Sequence, residues 1–79
     1  MPDNQQDIKM FLEDQYQWVK EQDEILERIE IKLYEMRNIA EYARDQQLSS
    51  EERNRLNNQL NELKLEILEL RQQLHSSFH

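Results

Sequence analysis

Cysteine and glycine are absent from this 79-residue chain, and its one proline is Pro2. Without cysteine there is no disulfide and no thiolate metal site. Without glycine there is no phosphate-cradling loop, and beyond Pro2 nothing is specialised for sharp turns or helix breaking. Long helices are expected. The longest uninterrupted apolar run is Met10, Phe11, Leu12, far short of a membrane span or the apolar core of a signal peptide, so a cytoplasmic protein with no membrane partner is expected. Seventeen acidic residues against ten basic ones give a formal charge of −7, which repels nucleic-acid phosphates and anionic lipid surfaces. A nucleic-acid role is not expected.

What the chain does have is helical periodicity. Leu56, Leu60, Leu63, Ile67, Leu70 and Leu74 recur at alternating steps of four and three, the spacing of a coiled-coil seam. Upstream, Leu12, Val19, Leu26, Leu33 and Ala40 repeat every seven residues. A companion row of Ile8, Gln15, Gln22, Ile29, Met36 and Ala43 fills the other core position, and Phe11, Trp18, Ile25 and Ile39 widen the face on its flank. The predicted core is therefore Leu12, Val19, Leu26, Ile29, Leu33 and Met36 against the Leu56 to Leu74 ladder.

Asp3 or Asn4 is expected to cap a first helix over about residues 4–46. Ser49, followed three residues later by Glu52, matches a capping box that starts a second helix, and Glu51 and Glu52 suit the positive end of its dipole. A turn at 47–49 then joins two antiparallel helices, the second spanning about 50–75. Folding back about this turn sets Leu60 near Met36, Leu63 near Leu33, Ile67 near Ile29 and Leu70 near Leu26. The predicted fold is all-α: a single domain over residues 1–79, a helical hairpin whose first helix overhangs its shorter second helix. One two-helix seam barely offsets the entropy of ordering the chain. A homodimer forming an antiparallel four-helix bundle is the expected remedy.

Chemistry has little support. His75 and His79 stand one helical turn apart, a spacing that suits a metal, but no carboxylate sits at the ligand spacing of a di-iron motif; no metal and no cofactor are expected. The carboxylates fall mostly on outward faces, where pairs such as Glu24 with Arg28 and Glu51 with Arg55 act as surface support. The serines of the turn have no histidine near them, so nucleophilic catalysis is not expected. What remains is surface. Ile31, Tyr34 and Tyr42 lie opposite the main stripe of the first helix, and Leu65 and Leu68 lie outside the seam of the second; together they form a candidate second contact surface. Phe11, Tyr16 and Trp18 at the overhang are candidate anchors for a partner, with a place in the dimer core as their first reading.

From Met36, Arg37, Asn38, Ile39 and Ala40 onward, the stretch Leu33 to Ile67 resembles the hairpin of the N-terminal conserved core of bacterial flagellin. That hairpin has a helix ending in a Met-Arg-x-Leu-Ala type motif, a polar loop, Leu-Ser-x-x-x-Arg, and a helix with a Leu-Lys-x-Glu-Ile type run. The corresponding positions are Met36, Arg37, Ile39, Ala40, Ala43, Leu48, Ser49, Arg53, Leu56, Leu63, Lys64, Glu66 and Ile67. The segment after Ile67 departs from the pattern, and the helices are more heavily charged. The resemblance implies an assembly or flagellin-mimicking surface. Two functions are thus expected in order: a homodimeric, non-enzymatic module that binds another protein as a regulatory adaptor, and a structural protein with flagellin-like helix packing.

Overall fold

The computed structural model describes residues 2–76, with side chains described for residues 4–74. The fold is the expected helical hairpin, with a long first helix and a shorter second one. Helix α1 runs Pro2–Asp45 and helix α2 runs Ser50–Ser76. Proline is tolerated at a first helical position, where its missing N–H would have no intrahelical acceptor. Helix α1 therefore starts ahead of Asp3 and Asn4, which lie within its first turn instead of capping it.

The corner is short and unstrained. Helix α1 closes with Gln46 N–H donating to the Tyr42 carbonyl at 3.1 Å. Ser49 then caps α2: its Oγ accepts from the Glu52 N–H at 3.2 Å, and its carbonyl accepts from the Arg53 N–H at 2.9 Å. No described residue has positive φ, which is why the turn manages without glycine. Leu48 is half-buried beneath the corner.

The molecule measures 72 × 19 × 11 Å, with a radius of gyration of 20.1 Å; a compact chain of this length would have about 12 Å. A rod of this shape has almost no interior. Among the described residues only Leu70 and Gln22 are less than a tenth exposed, both at 8%. Burial nevertheless locates the seam. On α2 it follows Leu56, Leu60, Leu63, Ile67, Leu70 and Leu74, and on α1 it follows Trp18, Gln22, Ile25, Ile29, Lys32, Met36, Ile39 and Ala43. Both sets step by alternating three and four, so each is one face of a helix.

The face that α1 turns inward therefore differs from the expected one. Ile29 and Met36 are half-buried, but Leu12 is 59% exposed, Val19 47%, Leu26 46% and Leu33 51%. At the levels of Leu63 and Leu70, Lys32 and Ile25 are the covered residues of α1, in place of Leu33 and Leu26. Successive helical residues are 100° apart, so one rotation of α1 accounts for all of these differences. Lys32 tolerates the seam because its Nζ reaches Glu66 Oε2 at 2.6 Å while its methylene stem covers apolar surface.

Candidate functional site

The features that stand out are two surfaces of α1. Its first four turns extend past the end of α2, and every described side chain from Asn4 to Gln17 is exposed. This overhang carries Ile8 at 59%, Met10 at 56%, Phe11 at 61%, Leu12 at 59% and Tyr16 at 71%. A shallow trough runs along it, lined by Ile8, Leu12 and Tyr16 with Gln5, Lys9, Glu13 and Gln17 beside them. A trough on one helix has no opposing wall to exclude water, so it offers no means of tuning an acid or a base.

The second surface is the uncovered row Leu12, Val19, Leu26, Leu33 and Ala40. It lies beyond one edge of the seam, and Lys32 lies at the opposite edge. The Lys32 side is polar: Glu35, Asn38, Gln59, Glu62 and Glu66 line the groove there, over Ile39 and Leu63. Placing both helices at 100° per residue puts Leu68, Lys64 and Arg71 of α2 on the same side as the leucine row. The hairpin thus has one polar flank and one flank that is apolar along α1 and basic along α2.

The structure separates the expected outer patch. Ile31, Tyr34, Tyr42 and Leu65 are 52%, 64%, 52% and 61% exposed. Tyr34 lies on the side of α1 facing away from α2, and Leu65, 200° from Leu63 around its helix, lies on the side of α2 facing away from α1. They point in opposite directions and form no common surface. Leu68, 42% exposed, sits on the leucine-row flank. Phe11 and Tyr16 are exposed on the overhang, whereas Trp18 is half-buried where the seam begins.

Gln22 is the unusual polar residue. It stands in the heptad row shared by the seam and the leucine flank, is only 8% exposed, and its Nε2 has no hydrogen-bond partner. A buried amide without an acceptor carries a desolvation cost. Periodicity puts Gln15 and Gln22 in the same core row; only the fold distinguishes buried Gln22 from exposed Gln15. The ion pairs among the described residues are Lys32–Glu66, Arg37–Glu41 and Arg44–Asp45. The expected Glu24–Arg28 and Glu51–Arg55 pairs are not among them, since exposed long side chains gain too little from pairing to be held.

No three described histidine, aspartate or glutamate residues cluster to hold a metal; the side chains of His75 and His79 lie outside the described residues. No described helix is long and apolar enough to cross a membrane. The chain matches no family model, no curated protein and no solved structure.

Proposed function

We propose that this chain is a non-enzymatic, self-associating helical module of the cytoplasm that binds another protein as a regulatory adaptor. The observation that carries this reading is uncovered surface. The chain exposes 7059 Å², whereas a folded monomer of 9.8 kDa exposes about 5,200 Å². The excess, about 1,900 Å² per chain, exceeds the roughly 800 Å² per partner of a standard interface. The exposed surface includes a periodic apolar row, Leu12, Val19, Leu26 and Leu33, each 46–59% exposed. Helices with such rows lay them against other helices.

Light scattering and sedimentation across a concentration series test the self-association. A dimer at micromolar concentration is expected, with a melting temperature that rises with concentration. Replacing Leu26 and Leu33 together by glutamate is expected to give a monomer with reduced helicity in the overhang. A wild-type chain that is monomeric and fully helical at micromolar concentration overturns the reading.

A further inference from the structure

Resting on the self-associating reading, we infer that the occupant of the leucine flank is the overhang of a second, antiparallel copy, with the two-fold axis beside Lys20 and Glu21. Four features of the hairpin meet in this one arrangement.

The first is the apolar row. An antiparallel pair of α1 helices with that axis sets Leu33 against the partner's Ile8, Leu26 against the partner's Gln15, Val19 against the partner's Gln22 and Leu12 against the partner's Ile29. Every uncovered leucine of the row then has a facing residue, and α1 is paired along most of its length. The second is the missing third helix. Helix α2 ends opposite the start of the overhang, so the overhang's Phe11 and Ile8 continue, uncovered, the face that α2 covers higher up. In the antiparallel pair that face turns onto the partner's α2, so the cross-section holds three helices everywhere except at the corner ends of the two hairpins. The overhang completes the partner and is completed by it.

The third is charge. Asp7 and Asp14 are seven residues apart, as are Lys64 and Arg71. In the hairpin register marked by Lys32 beside Glu66, the arrangement brings Asp7 within a turn of the partner's Lys64 and Asp14 within a turn of the partner's Arg71. On the other edge, Lys9 comes beside the partner's Glu30. Shifting the axis by half a heptad toward Glu24 would instead face Lys9 with the partner's Arg37 and bring the two Asp23 carboxylates together. Like charges at such positions oppose pairing. The fourth is Gln22. With the axis beside residues 20 and 21, the two Gln22 side chains lie within a turn of each other, so a rotamer change at the interface gives each amide, enclosed within its own chain, the other's carbonyl oxygen as acceptor. Buried polar pairs of this kind select register at a cost in stability.

The chain has no cysteine, so introduced ones report unambiguously. Val19→Cys, alone, is expected to cross-link to itself through a short bis-maleimide. Chains carrying Ile8→Cys and chains carrying Leu33→Cys are expected to cross-link when mixed and not separately. Ala40→Cys is expected to stay uncross-linked, because the two residues lie about 58 Å apart along the rod at 1.5 Å per residue. All four positions are exposed in the single chain, and circular dichroism confirms that each variant folds. Charge reversal gives a second readout: Lys9→Glu weakens the dimer, and adding Glu30→Lys restores it. A dimer in which Ala40→Cys cross-links as readily as Val19→Cys overturns the antiparallel arrangement and leaves self-association standing. So does a dimer in which the Ile8→Cys and Leu33→Cys chains fail to join. A monomeric wild-type chain overturns both readings.

Discussion

Lys32 and Leu33 are neighbours in sequence, yet the lysine lies in the seam with its Nζ 2.6 Å from Glu66 while the leucine beside it is 51% exposed. A charged residue has taken the inner position and an apolar one the outer. The inversion is tolerable for the lysine, whose side chain is 28% exposed and keeps its charge at the edge. For the leucine it amounts to an unused contact.

Reversing the inner charge is expected to hurt more than removing it. Lys32→Glu faces Glu66 with a like charge and lowers the melting temperature, whereas Lys32→Met keeps the covering stem. A double-mutant cycle with Glu66→Gln is expected to return a coupling of about 0.2–1 kcal/mol, the range for partly exposed pairs. A coupling of zero in chemical denaturation would mean the contact is incidental.

Leu70 is the most covered leucine among the described residues, and Leu65 is among the least. Leu70→Ala is expected to cost about 2–5 kcal/mol, as large-to-small changes at packed positions do, while Leu65→Ala stays within about 0.5 kcal/mol. Equal effects in urea titrations would place the α2 seam elsewhere.

Ser49 accepts the Glu52 N–H at the start of α2. Ser49→Ala is expected to destabilise the hairpin by about 1 kcal/mol and Ser49→Asp to preserve it. Amide exchange read residue by residue should show faster exchange at Glu51 and Glu52 in the alanine variant, with the middle of α1 changed least.

Gln22→Leu removes a buried amide that lacks an acceptor within the chain. A higher melting temperature is expected, together with less selective cross-linking between the Ile8→Cys and Leu33→Cys chains as register control is lost. A variant less stable than wild type would show that the Gln22 pair adds net stability instead of costing it.

Periodicity alone was enough to read two helices, their antiparallel order and the corner, because Ser49 and Glu52 mark a helix start locally and no glycine or internal proline offers another break. The axial register was also legible to within about a turn: periodicity sets Leu33 opposite Leu63 and Ile29 opposite Ile67, and Lys32 meets Glu66 between them. The flagellin-like positions Met36, Ala43, Leu56, Leu63 and Ile67 are themselves seam residues, of the kind that any closing hairpin requires. The rotation of α1 was not legible. Three adjacent rows of that helix are apolar enough to face a partner, and hydrophobic spacing ranks the strict Leu12 to Ala40 repeat above the row containing Lys32.

The sequence by itself determined which residues share a face, since 100° per residue is a property of any α-helix, and where the helices meet end to end, since the turn chemistry is local. Only the tertiary structure decided which of the competing faces α2 covers. That choice depends on the joint burial of Trp18, Ile25, Lys32 and Ile39 against one particular neighbour, with Glu66 placed to receive the lysine. It left the most regular row of the chain outside, and buried Gln22 beside it without an acceptor.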